Sequence, residues 1–232
     1  MRFFVGLHQP HDAQHFERAF ISVNRLRTRK SGFAAKQWIM DSGAFSVLAT
    51  HGQYPEGPEA YAAEIRRWAA NGELLAAVAQ DYMCEPVMLE RTGMSIAEHQ
   101  ALTIERYDRL IVCDTGGVPI IPVLQGWCPG DYVDHLRAYA GRIPYGAWVG
   151  VGSVCKRNVN TMSILLVLDR IKHERPDLKL HGFGLKKTAL SCPMVRALLH
   201  SADSMAWSFA ARRDGGNGND WRMAKAFEEE IA

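Results

Sequence analysis

The sequence predicts a compact (β/α)8 TIM-like barrel of the α/β class, on three observations. Eight strand-like apolar runs alternate with amphipathic helical patterns along the 232 residues, as expected of parallel strands joined by crossover helices. Two of those runs, 74–79 and 120–124, are apolar at nearly every position, which suits strands buried on both faces. Three aspartates and a glutamine stand where four of the runs end, and barrel enzymes assemble their chemistry at strand ends.

The strands are expected at 3–8, 20–24, 37–41, 74–80, 119–125, 147–151, 179–184 and 202–207. Between them, Tyr61, Ile65, Trp68 and Ala69 share one helical face, as do Val133, Leu136 and Ala140, and Ile164, Leu165, Leu168 and Ile171. Ser95-Ile96-Ala97-Glu98 has the form of a capping box and opens a helix over 95–110. Pro193 suits the first turn of the helix that carries Val195, Leu198 and Leu199. The segment 9–40 is poor in helical periodicity, so the second strand lacks companion helices. Residues 214–220, rich in glycine and asparagine, form a loop before a last helix. The competing architecture is an open doubly wound sheet, but no glycine fingerprint follows the first strand. The length suits one domain over 1–232.

Hydrophobic residues make up 47% and charged residues 22% of the chain, ordinary for a soluble enzyme with a sizeable core. No stretch approaches the roughly 20 apolar residues of a membrane span. Met1-Arg2-Phe3-Phe4-Val5 enters a strand pattern directly, without a small-residue cleavage site, so a cytoplasmic protein is expected. Five cysteines (Cys84, Cys113, Cys128, Cys155, Cys192) are odd in number and contain no C-x-x-C pair, which argues against a disulfide framework or a zinc knuckle. With a net charge of +2, any basic footprint for nucleic acid has to be local.

The strand ends carry Asp41, Asp81, Gln125, the pair Gly150 and Gly152, the pair Gly182 and Gly184, and Asp203. Any one of these aspartates reads most simply as the N-cap of the next helix. Three on one rim read differently, because a carboxylate at an apolar strand end is penalised by desolvation and needs partners or a purpose.

Four blocks occur in order over 37–212: Asp41-Ser42-Gly43-Ala44-Phe45, Val123-Leu124-Gln125-Gly126, Val149-Gly150-Val151-Gly152, and Asp203-Ser204-Met205-Ala206-Trp207 followed by Ala211-Arg212. In these blocks the chain resembles the tRNA-guanine transglycosylase superfamily, with its Asp-Ser-Gly-Gly-Phe segment, Val-Gln-Gly strand end, base-flanking glycines and Asp-Ser segment. Ala44 and Ser46 replace the family's second glycine and following glutamine, and the cysteine-rich zinc-binding subdomain of tRNA-modifying members has no counterpart. In these departures the chain is similar to the short, phage-associated branch that inserts 7-deazaguanines into DNA.

The resemblance implies a pentosyltransferase that exchanges guanine in a nucleic acid, DNA ahead of tRNA, for a free 7-deazaguanine such as 7-cyano-7-deazaguanine. It implies Asp203 as nucleophile, Asp41 as general acid/base, and Asp81, Gln125, Ser42, Phe45, Gly150 and Gly152 as base-holding residues. It calls for no cofactor, no metal and no membrane. The chemistry suits the set: displacing a purine builds positive charge on the sugar, which a carboxylate stabilises and captures. A second carboxyl protonates the departing base and deprotonates the incoming one, and two displacements retain the anomeric configuration.

Basic residues adjoin the same rim. Arg25, Arg27 and Arg29 alternate, so an extended segment presents them on one face with Lys30 following. Lys156-Arg157, Lys186-Lys187 and Arg212-Arg213 each follow a strand end and are candidates for phosphate contacts. Trp127, Phe45 and Phe183 are candidates for stacking on an extruded base, with Phe183 placed in the core.

Competing functions remain open on sequence. His8, His11 and His15 form an H-x2-H-x3-H pattern that suits zinc, although solvated loop histidines are common. Cys128 beside Trp127 is a thiol with no identifiable histidine partner. A nucleosidase would use the same carboxylates with water as acceptor, and a non-catalytic nucleic-acid-binding barrel would need only the basic rim.

Overall fold

The computed structural model describes residues 1–155 and 160–231. Nine strands, all paired in parallel, form a nearly closed α/β barrel: β1 (Arg2–Leu7), β2 (Arg18–Ser22), β3 (Gln37–Asp41), β4 (Glu73–Val78), β5 (Ile120–Ile121), β6 (Val123–Leu124), β7 (Trp148–Val151), β8 (Lys179–Gly182) and β9 (Ser201–Ser204). The sheet order is β5-β4-β3-β2-β1-β9-β8-β7-β6. Its two ends, β5 and β6, are consecutive pieces of one stave parted by Pro122.

Proline has no N–H to give a ladder, so the expected strand over 119–125 breaks there. The chain still bridges the break. Gly150 N–H donates to the Pro122 carbonyl at 2.8 Å, and Ala79 N–H donates to the Ile121 carbonyl at 2.9 Å. Eight staves therefore run once around the barrel in chain order.

Strand alternation sorts the side chains into lumen and outer face. Register partners share a face, so Phe4 and Asp203 point the same way, as do Phe20 with Ile39 and Ser22 with Asp41. Continuing round, Val123 faces with Gly150, Gly150 with His181, and His181 with Ser201. The lumen has an apolar middle built on Phe4, Phe20, Ile39 and Val123, and a polar layer one pleat further along each strand. The outer positions Val5, Ile21, Trp38, Met40 and Ala77 pack with Tyr61, Ile65 and Trp68 in a second core layer.

The helices are α1 (Ala44–His51), α2 (Pro58–Trp68), α3 (Pro86–Thr92), α4 (Ile96–Ile111), α5 (Pro129–Ala138), α6 (Thr161–Glu174), α7 (Lys187–Leu190), α8 (Pro193–Leu198), α9 (Ala206–Arg213) and α10 (Trp221–Ile231). The capping box forms as expected: Ser95 Oγ accepts from Glu98 N–H, and Glu98 accepts from Ser95 N–H at 2.7 Å. Helix α5 stops before Ala140, which takes a left-handed φ of 47°, so that residue leaves the expected face. Among the described residues no α-helix joins β1 to β2 or β2 to β3. Short 3-10 turns at Pro10–His15 and Val23–Arg25 do so instead. Helix α10 packs against β1 and the first of these turns. There Trp221 stacks on His15 at 3.8 Å and Phe227 meets Phe3 at 6.2 Å. No described helix is long and apolar enough to cross a membrane.

Candidate active site

A cavity of about 550 Å³ opens where the strands end, and Asp41, Asp81, Gln125 and Asp203 all line it. Each comes from a different stave. Asp41 closes β3 two residues beyond the lumen residue Ile39, and Asp203 lies two beyond Ser201 on β9. Strand alternation alone therefore delivers both carboxylates to one space.

The two carboxyls meet different surroundings. Asp203 is buried, and its Oδ1 accepts the Gly184 N–H at 3.1 Å and lies 3.2 Å from His181 Nε2. Asp41 accepts the Gly43 N–H at 3.1 Å. Burial, reinforced by the charge of Asp203, pushes its pKa up to about 6, and hydrogen bonds from Ser22, Gly43 and Ser42 hold back part of the rise.

Asp81 and Gln125 act as a pair. Gln125 Nε2–H donates to Asp81 Oδ2, and Gln125 Oε1 accepts the Ser153 hydroxyl at 2.7 Å. The serine thereby fixes which end of the amide meets the carboxylate. Burial pushes the Asp81 pKa up to about 7; the Gln125 bond opposes the rise, and the Asp41 and Glu85 charges add to it. Behind the pair, Tyr54 donates to the Asp81 carbonyl at 3.0 Å, and the Arg106 guanidinium lies 4.1 Å over the Tyr54 ring. Gln100 donates to the Gln125 carbonyl at 2.8 Å, and His135 Nδ1 accepts the Gln125 N–H at 2.8 Å.

A family model described as DpdA, deoxypurine in DNA protein A, matches residues 1–220. The chain belongs to the DpdA family. That family is guanine transglycosylase-like and acts in DNA modification, so the chain is placed among transferases at that coarse level. No curated protein matches the chain.

The remaining expected residues divide. Phe45 lies at the cavity wall and is 48% exposed. Ser42 is buried and does not line the cavity. The two glycines make room rather than walls. A Cβ on Gly152 would lie 2.1 Å from Gln125 Nε2, and one on Gly150 would lie 2.4 Å from the Phe183 ring. The N–H groups of both glycines are spent on strand carbonyls, of Pro122 and Leu124, and only Gly152 of the pair lines the cavity. Phe183, expected in the core, packs there and also lines the cavity.

The basic residues separate more sharply. Arg25, Arg27 and Arg29 do not share a face, because residues 23–25 form a 3-10 turn anchored by the fully buried Val23 and Leu26. Arg27 pairs with Glu56 at 3.0 Å, and Arg29 donates to the Ser31 and Gly32 carbonyls. Lys187 pairs with Glu230 at 2.7 Å and Arg213 with Asp214 at 3.0 Å. Lys186 is exposed before α7, and Lys156 and Arg157 lie outside the described residues. Arg25 and Arg212 converge on His8, at 3.3 and 2.9 Å from its two ring nitrogens. Burial, with the two guanidinium charges, lowers the His8 pKa. Both arginines line a second cavity of about 430 Å³ that shares His8 and Arg25 with the first.

The histidine pattern does not assemble a metal site. His8 sits between the arginines, His11 lies 3.2 Å from Asp12, and His15 stacks on Trp221. Sequence reasoning missed Glu85, a buried cavity residue, together with Ser153, His181 and Ser201. Glu85 sits in a loop with no periodicity to mark it. His181 and Ser201 carried a signal, since each lies on a strand two residues before a cavity residue, Phe183 and Asp203.

Raised carboxyl pKa values tie stability to pH. Asp41 and Asp81 hold a proton more tightly folded than unfolded, so folding takes up protons between about pH 4 and pH 7, and stability falls as pH rises through that window. Asp81→Asn should remove the larger part of this slope. At about 1.4 kcal/mol per unit, it should stabilise the fold by on the order of 4 kcal/mol near pH 8, with little change near pH 4. Urea unfolding across that range checks it, and a slope identical to wild type contradicts the assignment.

Proposed function

We propose that the chain replaces guanine in DNA with a free 7-deazaguanine such as 7-cyano-7-deazaguanine, through a covalent glycosyl-aspartate intermediate. The observation that carries the proposal is the inequality of the two carboxyls that share the cavity. Asp203 has Oδ1 engaged by neighbours and no described partner on Oδ2, a geometry suited to attack by that second oxygen. Asp41, with its pKa near 6, exchanges a proton readily near neutral pH.

In the first displacement an Asp203 oxygen forms a bond to the anomeric carbon as the bond from that carbon to guanine breaks. Asp41 gives its proton to the leaving base, which would otherwise depart as an anion. In the second, Asp41 takes a proton from the incoming base, whose nitrogen attacks the same carbon and releases Asp203. Two inversions retain the configuration.

Asp81 and Gln125 recognise the base. With its Oε1 held by Ser153 and one amide hydrogen given to Asp81, Gln125 keeps one N–H for the guanine carbonyl. The Asp81 carboxylate accepts from the adjacent N–H groups. A buried match of this kind discriminates against bases that leave either partner unpaired. A 7-deazaguanine presents the same edge, so incoming and outgoing bases satisfy one set of partners. Such a cavity admits a base only after it leaves the stack. We assign the phosphate next to it to Arg25 and Arg212, neither of which has a carboxylate partner among the described residues.

Incubation with DNA carrying labelled guanine tests the reaction, with release expected only when 7-cyano-7-deazaguanine is added. Release without it would identify a hydrolase. Asp41→Asn, which keeps the nucleophile but loses the proton donor, should slow release by about 100-fold or more. Asp41→Asn at the wild-type rate would remove Asp41 from proton transfer.

The salt dependence of DNA binding tests the phosphate contacts. Arg25→Ala with Arg212→Ala should weaken binding and flatten the slope of log K against log salt by about two, one per lost contact. Arg27→Ala and Arg213→Ala, whose charges are already paired, should change it little. Equal effects from both pairs would place the backbone elsewhere.

A further inference from the structure

His181 is fully buried in the barrel lumen beneath Asp203. Four aromatic rings surround it: Phe4 at 6.2 Å, Phe20 stacked at 5.5 Å, Trp148 at 6.2 Å and Phe183 at 4.8 Å. An imidazole in such a setting has to place both ring nitrogens, since an unsatisfied buried polar atom is costly. Nδ1 lies 2.9 Å from Ser201 Oγ, and Nε2 lies 3.2 Å from Asp203 Oδ1.

The proton positions follow from what each group can do. The Trp148 indole N–H can only donate, and it donates to Ser201 Oγ at 2.8 Å. Ser201 accepts from the indole, which leaves its own hydrogen available for His181 Nδ1. With Nδ1 accepting, the ring proton sits on Nε2 and points at Asp203. The opposite tautomer would set a nitrogen lone pair against a carboxylate oxygen and leave the serine hydrogen without this acceptor.

We propose that His181 is the positioning residue of the Asp203 nucleophile, a neutral Nε2–H donor whose tautomer is set by the relay Trp148–Ser201–His181. The inference rests on Asp203 being the attacking group. In the hydrolytic serine triad a carboxylate orients a histidine that serves a hydroxyl. Here the order runs the other way: a hydroxyl orients a histidine that serves the attacking carboxylate. The relay holds Oδ1 from one side while the Gly184 N–H holds it from another, and the charge is left to react through Oδ2. The aromatic cage keeps water from competing for the imidazole.

Nitrogen-15 NMR of the histidine-labelled wild-type protein reads the tautomer without any substrate. An imine-type Nδ1 and a pyrrole-type Nε2 are expected for the signal that disappears in His181→Gln; any other protonation pattern overturns the proposal. In denaturing-gel trapping of the DNA adduct, His181→Phe keeps the ring packing but loses the donor. It should slow adduct formation about 10- to 100-fold, as loss of one hydrogen bond to a charged group predicts, with KM for the incoming base unchanged. His181→Gln, which restores an N–H, should recover part of the rate, and Ser201→Ala should fall between. Should His181→Gln not fold, the signal that disappears in His181→Phe assigns the wild-type tautomer, which still decides.

Asp203→Asn keeps the two possible failures apart. An adduct formed by that variant removes Asp203 as nucleophile. No adduct there, together with a wild-type rate in His181→Phe, removes only the role of His181.

Discussion

Carboxylates crowded into one cavity cannot all carry full charge without help, and the organisation of this barrel follows from that constraint. Asp41, Asp81, Glu85 and Asp203 all line one cavity above an apolar lumen. Each ionised group raises the cost of the next, through desolvation and through mutual repulsion. The fold answers with donors placed unequally. Asp203 has a backbone N–H and an imidazole, Asp81 has the Gln125 amide, and Asp41 has the Ser22 hydroxyl with two backbone groups of its own turn. The pKa values of Asp41 and Asp81 are left near 6 and near 7, far above the ordinary carboxylate range, and in the proposed reaction that suits Asp41 to proton exchange near neutral pH.

The same constraint explains the small residues around the cavity. Gln125 can reach Asp81 only because Gly152 has no side chain, and Phe183 can close the lumen beside His181 only because Gly150 has none. Ser153, at a left-handed φ of 57°, turns its hydroxyl to both Gln125 and the Cys84 N–H. In the proposed reaction, recognition of the base and proton transfer to it would thus depend on one packed layer, in which moving any member disturbs the others.

Much of this was legible in the sequence, because strand alternation is a rule the chain cannot evade. Asp41, Gln125 and Asp203 stand one pleat beyond buried lumen residues, and the structure puts them in one cavity with Asp81. The barrel followed from eight runs, and Pro122 hid only the fact that one stave is in two pieces. Where regular structure stops, the sequence spoke less clearly. The alternation of Arg25, Arg27 and Arg29 implied a shared face, but burial of Val23 and Leu26 winds the segment into a turn that scatters them. Charge partners were equally invisible. Nothing local distinguishes Lys187, paired with the distant Glu230, from Arg25, which turns to His8. Tertiary neighbours drawn from far along the chain make that difference.

Membership of the DpdA family places the chain among guanine transglycosylase-like enzymes of DNA modification, and in the proposed reaction the covalent step at Asp203 is the claim from which the other roles take their meaning. The most direct test is to trap the enzyme with guanine-containing DNA, digest both polymers and locate the sugar by peptide mass mapping. A deoxyribosyl ester on the peptide that carries Asp203 is the predicted result. The same mass on the Asp41 peptide, or full exchange with no ester on any peptide, would contradict it.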